Sequence, residues 1–152
     1  MRFAIAAVFA LIAESSLAAQ TAAPDLAAAT PIAGNWTYVA TNDGSEATFA
    51  NAGGFPQLTV HCTRATRRVN IAKPASAAAP FIDVWTSSQT RNLPASFNPA
   101  TGKLTIELEA NDPLLDALSN SKGRLGFTVA PQPALVVPAW PEVARVVEDC
   151  RG

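Results

Sequence analysis

This chain of 152 residues has one histidine, one methionine, one tyrosine and two cysteines. A single histidine, His61, excludes a metal centre built from several imidazoles. Lysine and arginine number 11 against 12 acidic residues, a net charge of −1, and charged residues make up only 15% of the chain. There is no basic excess to draw the protein onto nucleic acid, and no acidic tail. No Gly-x-Ser-x-Gly elbow surrounds any serine. No glycine-rich phosphate loop is present, and Gly53-Gly54 reads as a turn. Long apolar runs are missing too. The longest, Phe3 to Ala13, is about half of what a bilayer span requires.

That run has a different meaning. Arg2 gives a positive start, Glu14, Ser15 and Ser16 end the apolar stretch, and Ser16 and Ala18 are small residues where a signal peptidase reads. Residues 1–19 are therefore expected to be a secretory signal peptide cut after Ala18 or Ala19. No cysteine lies near the cut, so lipid anchoring is not expected, nor is a transmembrane anchor. Residues 20–31, rich in alanine and threonine, read as a flexible lead-in that the domain does not need. Residues 32–152 suit one domain with one modest core. The expected location is the periplasm or the outside of the cell.

Export puts Cys62 and Cys150 in an oxidising compartment, which favours a disulfide over two buried thiols. Alternation supports the pairing. Leu58, Val60 and Cys62 share one strand face, with Thr59, His61 and Thr63 on the other. Val143, Val146, Val147 and Cys150 fall at spacings of three and four, the stripe of a closing helix over 141–149. Both patterns aim their cysteines at one core.

Period-two alternation recurs elsewhere. Segment 35–41 carries Trp36 and Tyr38 on one face, and Asn42-Asp43-Gly44 forms a turn because Asp-Gly tolerates positive φ. Residues 46–50 can return as a strand. Arg64 to Arg67 turn into a strand with Val69 and Ile71 inward. Phe81 to Ser87 is a strand of ambiguous face. Residues 88–100 are polar and proline-broken, anchored by Leu93 and Phe97. Leu104, Ile106 and Leu108 alternate with Thr105, Glu107 and Glu109, the habit of an antiparallel strand with one wet face. Asp112 and Pro113 open a helix of about two turns to Asn120. Leu125, Phe127 and Val129 resume alternation, and 134–138 forms a short apolar strand. The architecture expected is mainly β: a small antiparallel β-sandwich with two short helices and one disulfide.

Chemistry is thinly signalled. His61 points away from Cys62, so the two neighbours cannot form a thiolate–imidazole pair. Glu107 and Glu109 share a strand face and Asp112 and Asp116 a helix face; solubility and capping account for them. No catalytic residue, cofactor or metal ligand is expected. Arg64, Arg67 and Arg68 with Lys73 form the most distinctive surface cluster, able to meet an anionic partner, and Trp85 is a further candidate if it is exposed. Trp36 and Trp140 are expected in the core.

The stretch Asp112-Pro113-Leu114-Leu115-Asp116-Ala117-Leu118, followed by Ser121-Lys122-Gly123-Arg124, resembles a segment of small exported proteobacterial proteins. So does the closing run from Pro138-Ala139-Trp140-Pro141 through Glu148-Asp149-Cys150-Arg151. The resemblance covers about residues 34–151. It is to a set of uncharacterised sphingomonad-type periplasmic proteins and, more remotely, to the invasion-associated locus B family and the periplasmic accessory proteins of type VI secretion. It implies a compact β-sandwich with an appended helix, and a role for Cys62, Cys150 and the Trp140-Pro141 lead-in that is structural. The function expected is a binding or accessory domain that meets another envelope protein, the cell wall or a lipid surface. A purely structural envelope protein, and a small hydrolase or enzyme inhibitor, remain the alternatives. Oligomeric state is left open.

Overall fold

The computed structural model describes residues 25–152. The expected signal peptide and the first part of the lead-in lie outside the described residues. Ten strands and two helices follow in order. They are β1 (Gly34–Ala40), β2 (Gly44–Asn51), β3 (Pro56–Thr63), β4 (Arg68–Pro74), β5 (Phe81–Trp85), β6 (Thr90–Pro94), β7 (Ser96–Asn98), β8 (Lys103–Glu109), α1 (Pro113–Ser119), β9 (Arg124–Thr128), β10 (Leu135–Pro138) and α2 (Pro141–Arg151). They form a six-stranded sheet, β1-β2-β3-β4-β8-β7, and a four-stranded sheet, β10-β9-β5-β6. Every strand pair is antiparallel.

The inner faces follow the alternation in the sequence. Leu58, Val60, Val69, Ile71, Leu104 and Ile106 of the larger sheet share one core with Ile82, Val84, Leu125 and Phe127 of the smaller. Each such side chain stabilises the fold by about 1.5–3 kcal/mol through burial. Both helices contribute to this core. Asp112 caps α1, its side chain accepting from Leu114 N, and Leu114, Leu115 and Leu118 are buried. Val143, Val146, Val147 and Cys150 of α2 are buried against β1 to β4. Cys62 and Cys150 are disulfide-bonded, with Cα atoms 5.5 Å apart.

Several local expectations need correction. The proline-broken stretch at 88–100 is two strands, β6 and β7, with Leu93 buried and Phe97 packed on the core. Both are edge strands, where Pro94 needs no ladder N–H. Trp36 is buried, its indole donating to the Pro138 carbonyl at 2.8 Å. Trp140 is not in the core but 40% exposed, because it precedes the first helical residue of α2 and lies outside the buried stripe. Gly44 belongs to β2 and is not among the residues with positive φ. It is glycine for another reason: a Cβ there would lie 2.0 Å from the Cys62 carbonyl oxygen.

The described part of the lead-in lies against the smaller sheet. Leu26 covers Gly126 on the outer face of β9, where an added Cβ would meet Leu26 Cδ1 at 2.9 Å and Trp85 Cβ at 3.3 Å. Arg124 donates to the Ala29 carbonyl, and Ile32 N to the Val136 carbonyl. Val136, the cross-strand partner of Gly126, is only 5% exposed although it faces away from the core.

Candidate functional site

The outer face of the six-stranded sheet is a broad, regular surface. Both helices lie on the inner side, so no described element packs on it. Register sorts its side chains into rows. Thr37, Thr48, Thr59, Ala72, Thr105 and Ser96 line up across all six strands. The adjacent row is Val39, Glu46, His61, Asn70 and Glu107. Beyond β8 the face sinks into a hollow of about 380 Å³ lined by Asn70, Pro94, Ala95, Ser96, Thr105 and Glu107.

His61 sits on this face as its alternation requires. Its two carboxylate neighbours come from the β1–β2 turn and from β2. Asp43 Oδ2 is 3.1 Å from Nε2, and Glu46 Oε2 is 3.4 Å from Nδ1. The Thr41 hydroxyl, and after it His61, hold the Asp43 carboxyl below its ordinary value. A catalytic histidine needs one ring nitrogen on an orienting carboxylate and the other on a nucleophile. Here Nε2 faces Asp43, and Nδ1 is buried beside Glu46 without a hydrogen-bond partner, so neither nitrogen rests on a nucleophile. Among the described residues, no group of three His, Cys, Asp or Glu side chains is placed to hold a metal ion.

The residues singled out as a binding surface do not come together. Arg64, Arg67 and Arg68 surround the β3–β4 turn as expected. Arg64 is exposed. Arg67 adopts a left-handed φ of 52° and donates to the Arg151 carbonyl at the C-terminus of α2, where a cation is favoured. Arg68 is ion-paired to Glu109 at 2.7 Å and Glu107 at 3.6 Å. Two of the three guanidinium groups are thus engaged within the domain. Lys73 is not part of this cluster. It lies at the far end of β4, roughly 17 Å away at strand rise, and points inward. The same alternation that sends Val69 and Ile71 to the core sends Lys73 there too, a signal present in the sequence. Trp85 belongs to the other sheet, half-buried on its outer face beside Gly126.

One polar group was not legible beforehand. Tyr38 donates to Asp149 Oδ2 at 2.5 Å, and the Arg145 guanidinium stacks 3.9 Å over the Tyr38 ring. The Ser45 hydroxyl, wholly buried, faces the same pair but has no hydrogen bond of good geometry. The bond to Asp149, then burial and the Asp149 charge, raise the Tyr38 pKa above its ordinary 10.0. The bond from Tyr38 lowers that of Asp149 below 3.8. The sign of the stability effect follows. The Asp149 contribution is present above 3.8 and fades as pH falls through the lowered folded value. The Tyr38 contribution is full below 10.0 and is lost as pH rises through the raised folded value. Tyr38→Phe is therefore expected to lower the thermal midpoint at neutral pH and to converge on the wild type at both extremes. Melting curves across pH measure this; identical midpoints throughout would remove the bond from the account.

No protein-family model, curated protein or solved structure matches this chain.

Proposed function

We propose that this protein is an exported, non-catalytic binding or accessory domain of the cell envelope, working in the periplasm or outside the cell through the outer face of its six-stranded sheet. One observation carries the reading: that face is uncovered by any described element and presents hydroxyls in register on five of its six strands. Strands sit about 4.8 Å apart, so the row offers hydrogen-bonding groups at the strand spacing, interrupted at Ala72, on a stiff support. The buried disulfide supports an oxidising compartment. Among the described residues no helix is long and apolar enough to cross a membrane. The resemblance to exported proteobacterial proteins points the same way.

The chemistry of the face favours a polar partner of low charge density, a cell-wall polymer or another envelope protein. A lipid surface is the weaker candidate, because Arg67 and Arg68 are already engaged inside the domain. The hydrolase alternative fares worse still, since neither His61 nitrogen is hydrogen-bonded to a nucleophilic side chain.

The test replaces Thr59 and Thr105 together with arginine. Both are half-buried on a face that no described element covers, and surface substitutions usually change stability by about 0.5 kcal/mol or less each, so the fold should persist. Wild type is expected to co-sediment with cell-wall sacculi or to retain an envelope protein on a column, and the double variant to lose whichever partner it is. Retention unchanged by the substitutions would move binding off this face. Absence of binding in both arms would leave the purely structural role, and ester or amide turnover dependent on His61 would make the protein an enzyme.

A further inference from the structure

Lys73 is the only charged side chain buried among the described residues, at 8% exposed. A lysine at the end of a sandwich ordinarily extends its ammonium into water while its stem covers apolar surface. This one does not. Its Nζ turns back to the carbonyl of Pro74 at 3.2 Å. An ammonium has three donors, so that bond leaves two of them for partners outside the protein's own groups. Among the described residues Lys73 enters no ion pair, whereas three arginines and His61 do or can. Isolated buried charge is costly, and a fold keeps it where something else neutralises it. Burial pushes the Lys73 ammonium below the ordinary lysine value, in keeping with a missing counter-charge.

The surroundings say what the counter-charge is attached to. Lys73 lines a pocket of about 310 Å³ with Ile32, Gln57, Gln132, Ala134 and Leu135. The pocket opens at the end of the sandwich where β3 and β4 meet the loop leading into β10. Its size lies at the small end of the range for ligand sites, about 300–1,000 Å³. One cation and no second basic group match one negative charge. A phosphate dianion would leave net charge behind. Two amides can bond polar atoms next to the acid, and Ile32, Ala134 and Leu135 suit an apolar body. We infer that the Lys73 pocket is a binding site for a small monocarboxylate on an apolar body, either a free acid or the C-terminal carboxylate of a peptide. This site lies at the end of the sandwich and is independent of the outer-face reading.

The probes are hexanoate, its neutral counterpart hexanamide, trialanine and C-terminally amidated trialanine. They are titrated into the whole chain while backbone and glutamine side-chain amides are followed by NMR. Hexanoate or trialanine is expected to shift Gln57, Gln132 and Leu135, and which of the two binds tighter identifies the source of the acid. The amides, and Lys73→Met with either acid, are expected to bind about tenfold more weakly or worse, the loss of a charge-assisted hydrogen bond. Lys73→Met should also raise the thermal midpoint, because it removes an unpaired buried charge and keeps the volume. Lys73→Gln replaces it should methionine disturb the fold. Hexanamide binding as tightly as hexanoate, acid binding unchanged in the Lys73 variants, or no shift at these residues with any probe would overturn the assignment.

Discussion

Replacing Cys62 and Cys150 together with alanine is expected to lower the free energy of unfolding by about 2–5 kcal/mol. The bond closes a sequence separation of 88 residues, and for so long a loop the chain-entropy contribution reaches about 4–5 kcal/mol. Both cysteines are buried in the common core, so alanine also leaves a void. The loss is a large fraction of the roughly 5–15 kcal/mol a domain possesses. It falls unevenly. The closing helix α2 is valine-rich and only 11 residues long, too short to persist alone. Its remaining ties are its valine stripe, Asp149 and Arg145 to Tyr38, Arg67 to the Arg151 carbonyl, and Arg151 to the Ala110 carbonyl and Asp116 at 2.8 Å each. Amide exchange is therefore expected to accelerate first in residues 143–150, before the β3–β4 hairpin. Urea titration of oxidised wild type against the double variant reads the total, and hydrogen exchange the order. Equal denaturation midpoints would show that the tie contributes nothing.

The second large effect is predicted at a residue with no side chain. Gly44→Val should cost about 3 kcal/mol or more, in the range of backbone and overpacking disruptions. A Cβ at this position would stand 2.0 Å from the Cys62 carbonyl oxygen and 3.0 Å from its carbon, both backbone atoms that cannot swing aside. The strand β2 must then withdraw from β3 where the disulfide is anchored. The same movement strains the turn in which Arg64 N bonds the Asp43 carbonyl, and Asp43 holds His61. Loss of stability should thus appear together with a changed His61 imidazole resonance. A Gly44→Val protein that unfolds at the wild-type denaturant concentration, with its His61 signal unmoved, would refute the close-approach explanation.

Much of this architecture could be read from residue pattern alone. Alternation at Leu58-Val60-Cys62, at Leu104-Ile106-Leu108 and at Leu125-Phe127-Val129 named the inward faces, because a pleated strand sends successive side chains to opposite sides. The stripe of Val143, Val146, Val147 and Cys150 named a helix and its buried side. Those two local periods pointed both cysteines at one core, which together with the expected export paired them. They also place His61 outside and, two residues past Ile71, Lys73 inside.

What local pattern could not supply was juxtaposition across the sheet. Thr37, Thr48, Thr59 and Thr105 are ordinary wet-face residues until cross-strand register lays them in one row. His61 gained Asp43 and Glu46, and Tyr38 gained Asp149 from 111 residues away, only through pairing and helix docking. The arginine cluster illustrates the converse. Sequence proximity grouped Lys73 with Arg64, Arg67 and Arg68, yet a strand extends about 3.3 Å per residue and alternates its faces. A few residues therefore separated Lys73 in distance and direction, leaving the arginines at a turn and the lysine in a pocket at the end of the sandwich. Composition and period determined the layers and the staple; tertiary packing alone decided which polar groups meet, because those meetings depend on register and on the docking of α2, neither of which is encoded within any one segment.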